Sequence, residues 1–178
     1  MLQESRYYNL RYQAFKAAAR KIAYERVKAE PGFLKAGIDP AMVRYDAIDA
    51  EAIAASHLWG AEVVLYPWEN VRGWKRKDPR GLDVSLWYGK ELCGLCYATP
   101  RKSSICIKVI LLEGKPNKFH PLRGVVASLA IVSIDIYARM LGCEEIEIQE
   151  PSQGAAHWYL ELGFEYNAQG RLVMPVKA

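Results

Sequence analysis

The sequence of 178 residues lacks several features that would assign it to a cellular compartment outside the cytoplasm. No apolar run approaches the roughly 20 residues of a membrane-spanning helix. The polar stretch from Met1 to Arg11 lacks the apolar core of a signal peptide. These absences predict a cytoplasmic protein with no membrane partner. The chain is about half apolar and a quarter charged, which is typical of a single folded domain covering residues 1–178.

Sequence patterns typical of metal-binding sites are also scarce. The sequence has only three His residues, which lie far apart. Cys93 and Cys96 have the spacing of a redox or zinc motif, but the second Cys-x-x-Cys of a zinc site is missing. Both fall in a predicted strand, in which residues three apart point to opposite faces. The sequence therefore predicts buried thiols and no metal site.

The formal net charge of +4 is mild and does not specify a nucleic-acid partner. The most basic segment, residues 68–80, contains Trp68 and Trp74. Aromatic rings among basic residues can stack on the bases of single-stranded nucleic acid. The same Trp side chains can instead anchor a loop or short helix that Lys and Arg keep solvated. Contact with a substrate is a third use of this segment.

Two helices are predicted in the first 60 residues. The first, over residues 5–30, is basic and has an apolar stripe that docks on the core or on a second subunit of a homodimer. The stripe consists of Tyr8, Tyr12, Phe15, Ala19 and Ile22. Asp39 before Pro40 suits the start of a second helix. That helix is predicted to continue to Trp59.

Strands are predicted in the middle of the chain. A short apolar strand covers Ala61 to Tyr66. Two longer strands, Leu82 to Tyr88 and Glu91 to Thr99, form a hairpin whose type II′ turn begins at Gly89. A third antiparallel strand follows from Ser104 to Leu112. Its alternation predicts one shared face for Ile105, Ile107, Val109 and Leu111.

The most informative segment begins at residue 121. Pro121-Leu122-Arg123-Gly124 is a basic turn that opens a long apolar helix, with Pro121 in its first turn and His120 or the residue before it as the cap. The first N–H groups of a helix have no intrahelical partner, and the helix dipole is positive there. The start of this helix therefore suits a phosphate group.

The rest of the segment is a strand followed by a helix. The strand covers Glu144 to Gln149, and Ile146 and Ile148 share one of its faces. Ser152 is the expected N-cap of the helix. Tyr159 lies on this helix, just before the Leu-Gly-Phe sequence of residues 162–164 that ends it.

In this order the segment resembles the cofactor-binding half of the GNAT acyltransferases, which use acyl-CoA. The resemblance covers residues 61–178. It implies an α/β fold of the GNAT kind, a mixed central sheet flanked by helices. Residues 1–60 are either the family's usual first two helices, with its first strand lost or unseen, or an added helical hairpin. In the second case the strand at residues 61–66 is the family's first.

The resemblance implies transfer of an acetyl group from acetyl-CoA to an amine that attacks the thioester directly. Tyr159 matches the Tyr that protonates the sulfur of CoA in the family. The start of the long helix would hold the pyrophosphate, and the end of the preceding strand would polarise the carbonyl. The implied cofactor-binding residues are Leu111, Leu112, Arg123, Gly124, Val125, Val126, Ala127 and Ser152. The candidate general bases are Glu113, Glu145, Glu147 and His120.

The turn departs from the family signature, Gln/Arg-x-x-Gly-x-Gly/Ala. With Gly124 as the first Gly, Pro121 occupies the basic position and Arg123 is displaced by two residues. Val126 occupies the position of the second Gly or Ala, and we expect its side chain to crowd a ligand approaching the backbone. Two alternatives remain open: a binding or assembly module on the same scaffold, and an acetyltransferase that acts on an RNA-linked amine.

Overall fold

The computed structural model describes residues 2–60, 66–117, 119–152 and 154–177, which form a seven-stranded sheet flanked by helices. The strands are β1 (Val43–Asp46), β2 (Leu82–Tyr88), β3 (Glu91–Thr99), β4 (Cys106–Gly114), β5 (Glu145–Ile148), β6 (Glu165–Tyr166) and β7 (Leu172–Pro175). The helices are α1 (Leu2–Ala29), α2 (Pro31–Lys35), α3 (Ala50–His57), α4 (Val71–Lys77), α5 (Val126–Leu141) and α6 (Ala156–Glu161). The predicted strand at residues 61–66 lies outside the described residues, apart from Tyr66.

The sheet is mixed, with the strand order β1-β2-β3-β4-β5-β7-β6. Neighbouring strands are antiparallel except β4 and β5, which are parallel. The β2–β3 hairpin turns at Gly89, whose φ of +59° suits the first central position of a type II′ turn. The α/β fold class predicted from the sequence is confirmed. Within the described ranges, no helix combines the length and apolarity needed to cross a bilayer.

The two faces of the sheet bury separate sets of side chains. The main core lies between the sheet and helices α1 and α5, and it includes Ala19, Ile107 and Leu129. The second core lies on the opposite face under α3 and α4, where Trp68 and Leu95 are buried. Strands β2 and β3 are therefore covered on both faces, as their almost continuous burial shows.

Helix α1 has the predicted position but a rotated contact face. Tyr12 and Ala19 are buried as expected, whereas Tyr8 and Ile22 are exposed. Ala23 and Val27 occupy the buried positions that follow Ala19. Small residues at the contact let α1 pack closely on α5, and this packing sets the rotation of the helix.

The predicted second helix, from Pro40 to Trp59, is wrong in its first half. Residues Pro40–Met42 form one 3-10 turn, and β1 follows as the edge strand paired with β2. Helix α3 begins only after Asp49, whose side chain accepts a hydrogen bond from the N–H of Ala52. Val43 and Tyr45 are buried in a strand alternation, whereas the helix was predicted from the spacing of Ala41, Tyr45 and Ile48. The first strand among the described residues is therefore β1, which lies within the predicted helix and was unseen in the sequence.

A bulge in β4 reverses the side-chain alternation of that strand. Val109 pairs with Ala98 and Leu111 pairs with Tyr97, so Ile110 is an extra residue. Ile107 and Val109 therefore belong to the main core, while Leu111 packs against the second core. The predicted common face of these residues is wrong at Leu111, and Ile105 is exposed before the strand begins.

A second bulge explains the placement of the two cysteines. Gly94 pairs with Leu86 and Leu92 pairs with Trp87, which leaves Cys93 as the extra residue of β3. Cys93 and Cys96 consequently both contact the main core, contrary to the opposite faces expected. Burial raises the pKa of Cys93 to about 11 and that of Cys96 to about 12, so both remain thiols at neutral pH. In the part of the chain that the structure describes, no three His, Cys, Asp or Glu side chains group closely enough to hold a metal ion.

One buried carboxylate connects the N-terminal helices to the sheet. Asp83 of β2 is 1% exposed and pairs with Arg20 of α1 and Lys75 of α4, each at 3.0 Å. The same carboxylate accepts a hydrogen bond of 2.8 Å from the N–H of Ile48. A buried charge with several partners is strongly destabilising when one partner is removed. Asp83 therefore fixes α1 and α4 on opposite sides of β2.

Candidate active site

The basic turn lies before α5 rather than in its first turn. The N–H of Arg123 bonds to the carbonyl of His120, and the N–H of Val125 bonds to that of Leu122, both at 3.1 Å. Gly124 has a φ of +84°, a left-handed conformation that an α-helix excludes. The prediction that the helix starts at Pro121 under a His120 cap is therefore wrong, since α5 begins at Val126. No side chain caps this start, so its first N–H groups stay available to an anion.

The side chain of Val126 points into the sheet and not into the turn. Gly94 of β3 and Gly114 of β4 are paired opposite each other and leave a depression there. A Cβ built on Gly94 would lie only 2.5 Å from Val126 Cγ1, and one on Gly114 would lie 3.7 Å from Cγ2. Val126 is 8% exposed in this depression. The expectation that Val126 crowds a ligand at the turn is corrected by this packing.

Helix α6 places Tyr159 beside the turn. It begins after Ala155, because Gly154 has a φ of +93° that prevents an earlier start. Ser152 is therefore not its N-cap, contrary to the prediction. The ring of Tyr159 packs edge-on against Phe164, with 5.8 Å between the centroids.

The phenol of Tyr159 keeps its proton. Its pKa is raised to about 12, chiefly by burial and further by the neighbouring Cys96 thiol and Tyr66 phenol. The phenol is therefore protonated at neutral pH and carries a proton that it can donate inside the site.

A cleft of about 450 Å³ lies between the basic turn and α6. The structure brings together in its wall seven residues that the sequence predicted for the site: Leu112, His120, Arg123, Gly124, Val126, Ala127 and Tyr159. The predicted residues Leu111, Val125 and Ser152 do not line it. The sequence analysis missed Gly114, Ser128, Ala155, Trp158, Glu161 and Leu162. Two of these missed residues, Ala155 and Leu162, share one helical face with Tyr159. Their spacing in the sequence was the available signal that they line the same cleft.

The cleft opens onto a gap in the sheet. The parallel pairing of β4 and β5 ends at Val109 and Ile148, where the N–H of Gln149 bonds to the carbonyl of Val109 at 3.0 Å. The bulge at Ile110 follows at once. Among the described residues, β4 beyond this point has no partner in β5. Its backbone therefore borders the cleft with polar groups that a ligand can bind.

The four candidate bases are scattered. His120 lines the cleft, whereas Glu113 is buried on the second-core face and accepts a hydrogen bond of 2.6 Å from Trp68 Nε1. Glu145 lies at the first β4–β5 pair, three residues before the gap and thus about 10 Å away. Glu147 lies in a separate cleft beside Lys108 and Arg171. Sequence spacing alone did not separate these positions.

His120 is 6% exposed, and its Nδ1 atom has no hydrogen-bond partner in the described part of the chain. Burial lowers its pKa from the ordinary 6.5; among the smaller effects, Glu91 raises this pKa, whereas the cations Lys115 and Arg123 lower it further. The imidazole is therefore neutral at pH 7. A buried nitrogen without a partner at a cleft wall suits a ligand that supplies one.

The free energy of unfolding should fall as the pH drops below about 6.5. Unfolded His120 takes up a proton near that pH, and folded His120 does so only at lower pH, so the unfolded state binds more protons in between. Urea unfolding at about pH 7.5 and about pH 5.5 measures the fall. His120→Asn should make this fall in the free energy of unfolding smaller. His157→Asn, at an exposed position, should leave the fall unchanged. Equal falls in both variants would contradict the assignment.

The basic segment of residues 68–80 holds its rings inside the protein. Trp68 is fully buried, and Trp74 packs against Trp68 and Tyr97 with centroid distances of 6.3 and 5.3 Å. Lys75 is paired with Asp83. The rings therefore serve as anchors of α4 and are not placed to stack on nucleic-acid bases.

Comparison with known proteins finds relatives in structure only. No family model matches the chain, and no curated protein matches it in sequence. Ard1 from Thermoplasma volcanium superposes with a TM-score of 0.56 at 12% identity, over 77% of this chain and 99% of that one. The ribosomal-protein-S18-alanine N-acetyltransferase from Escherichia coli superposes with a TM-score of 0.56 at 14% identity, over 77% and 96%.

A third solved structure, yncA from Salmonella typhimurium with its cofactor acetyl-CoA, has a TM-score of 0.54 at 14% identity, over 76% of this chain and 95% of that one. At such identities the likeness concerns the fold. The mixed seven-stranded sheet with its flanking helices agrees with it. The chain has the fold of the GNAT N-acetyltransferases.

Proposed function

We propose that the protein is an N-acyltransferase that transfers an acetyl group from acetyl-CoA to an amine. The observation that carries the proposal is that one cleft wall holds the uncapped start of α5, Arg123 and Tyr159. This wall lies beside the end of β4 that β5 does not pair. The similar structures are N-acetyltransferases or hold acetyl-CoA, which supports the same reaction class.

The residues of the cleft fit the cofactor. The first N–H groups of α5, with the Arg123 guanidinium, provide a positive site for the pyrophosphate. Gly124 adds no side chain, and nothing lies within 4 Å of where its Cβ would be. Val126 is turned toward Gly94, so a ligand can reach the helix start. His120 offers a buried nitrogen that needs a partner.

Bound acetyl-CoA supplies an acetyl thioester, whose carbonyl carbon the amine attacks as the C–S bond breaks. In the proposed reaction Tyr159 would give its proton to the departing sulfur and regain one from solvent, which would also take the proton that the nitrogen loses. The backbone N–H groups of β4 beyond Val109 polarise the carbonyl oxygen. This part of β4 is paired with β3 on both sides of the bulge, at Val109 and at Leu111.

Isothermal titration with acetyl-CoA tests the proposal. We expect saturable binding with a dissociation constant in the micromolar range, and Arg123→Gln should weaken it about tenfold through loss of a charge-assisted contact. The matched control Arg6→Gln, on the exposed side of α1, should bind normally. No binding at millimolar acetyl-CoA would overturn the proposal and leave a binding or assembly module.

A further inference from the structure

We propose that a second cleft, on the opposite face of the sheet, binds the amine acceptor, and that this acceptor carries an anionic group, a carboxylate or a phosphate. The inference rests on the proposed acetyl transfer and names the acceptor class for it. The second cleft has a volume of about 470 Å³ and is lined mainly by polar side chains.

The second cleft reaches the same gap from the other side. Lys108 and Glu147 project into it from β4 and β5. Their neighbours Ile107 and Ile146 point to the main core, so Lys108 and Glu147 lie on the opposite face. The wall continues along residues 148–151, which leave β5 where its pairing with β4 ends. A molecule in this cleft therefore lies beside the point where β4 and β5 separate, on the face opposite the cofactor cleft.

Cations outnumber carboxylates in the wall. Three basic side chains, Arg101, Lys108 and Arg171, face two acidic ones, Glu147 and Glu150. The excess of one positive charge, three against two, favours an anion in the cleft.

The basic side chains retain binding capacity. Lys108 Nζ and Arg171 Nη1 lie 3.8 and 3.6 Å from the same oxygen of Glu147, both beyond hydrogen-bond distance. The side chain of Arg171 is 56% exposed, so its planar N–H groups are directed partly to solvent. In the described ranges no carboxylate pairs with Arg101.

This arrangement favours one class of acceptor. Arginine side chains bind carboxylate and phosphate through two parallel hydrogen bonds. Glu147 is buried beside them and repels a second anion, so the anionic end of the acceptor is held at the rim by Arg101 and Arg171. The amine end then points inward to the gap. A polycation such as spermidine would meet the same two guanidinium groups and be repelled.

Matched pairs of acceptors test the class. Release of the free thiol of CoA is followed with O-phosphoethanolamine against ethanolamine, and with glycine against glycinamide, which vary phosphate and carboxylate separately. We expect kcat/KM to be about tenfold or more higher for the anionic member of at least one pair. Higher kcat/KM for the neutral members, or for spermidine, would overturn the inference and leave acetyl transfer intact. If no amine is turned over, the same pairs are titrated calorimetrically into the CoA-saturated protein. Absence of binding by both anionic members would then also overturn the inference of an anionic acceptor.

Charge-neutral variants locate the contact. Arg101→Gln and Arg171→Gln should each raise the KM for the anionic acceptor about tenfold and leave the KM for acetyl-CoA unchanged. Lys102→Gln removes the same charge from an exposed neighbour outside the cleft and should change neither constant. An unaltered preference for anionic acceptors in both Arg variants would contradict the assignment of this cleft.

Discussion

Replacing Tyr159 with Phe should lower kcat for acetyl transfer about 100-fold and leave the dissociation constant of acetyl-CoA nearly unchanged. The substitution removes only the hydroxyl, and the ring keeps its edge-on contact with Phe164. Because burial raises the pKa of Tyr159 to about 12, the phenol is protonated throughout the neutral range and can act as the acid. Steady-state kinetics with saturating acetyl-CoA, together with calorimetric titration, separates the two constants.

A second buried Tyr provides the control for this substitution. Tyr45 of β1 donates a hydrogen bond of 2.7 Å to the carbonyl of Leu129 in the main core. Tyr45→Phe should lower the free energy of unfolding by about 1 kcal/mol, the typical net contribution of one hydrogen bond, without changing kcat. If Tyr159→Phe retained full turnover, Tyr159 would be a core residue and the acid would have to be sought elsewhere.

Replacing Gly94 with Ala should destabilise the protein by about 1–3 kcal/mol and also weaken acetyl-CoA binding. The added Cβ would lie 2.5 Å from Val126 Cγ1, closer than two carbon atoms can approach. Val126 is β-branched and lies in the first turn of α5, so its side chain has little freedom to rotate away. The start of the helix must then shift, and its N–H groups shift with it. Thermal unfolding and calorimetric titration with acetyl-CoA measure the two effects.

Val126→Ala in the same protein should restore much of both losses, because it removes the Cγ1 atom that the added Cβ would meet. The coupling between the two sites is expected to be about 0.5–3 kcal/mol. Gly73→Ala is the matched control: a Cβ on Gly73 in α4 meets nothing within 4 Å, so it should leave stability and binding close to normal. Additive effects of Gly94→Ala and Val126→Ala would show that the two residues do not pack as described.

The sequence correctly predicted those helices and strands whose residue pattern is compatible with only one type of secondary structure. The β2–β3 hairpin has a turn signal at Gly89, and the long apolar helix and Leu-Gly-Phe place α5 and α6. The short strand β1 was predicted as helix because Ala41, Tyr45 and Ile48 also recur at helical spacing. Pairing with β2, a contact far along the chain, decides between the two structures.

The sequence predicted those parts of the candidate site whose residues lie close together along the chain. Arg123, Gly124 and Tyr159 line one cleft as the segment suggested. The start of α5 and the orientation of Val126 depend on Gly94, some 30 residues earlier, and no local pattern connects them. Likewise, the bulges at Cys93 and Ile110 lie in strands that are apolar on both faces. The sequence therefore does not indicate where the side-chain alternation of these strands reverses.

The extra residue of β4 makes the length of this strand as important as its composition. Ile110 places Leu112 on the side of the cofactor cleft and Glu113 against Trp68. Loss of one residue at this point would exchange the two faces of the strand's end, carrying a carboxylate toward the site proposed for pyrophosphate and a leucine toward the indole N–H. Homologous chains can therefore vary the side chains of β4 more freely than they can tolerate a single-residue insertion or deletion in it.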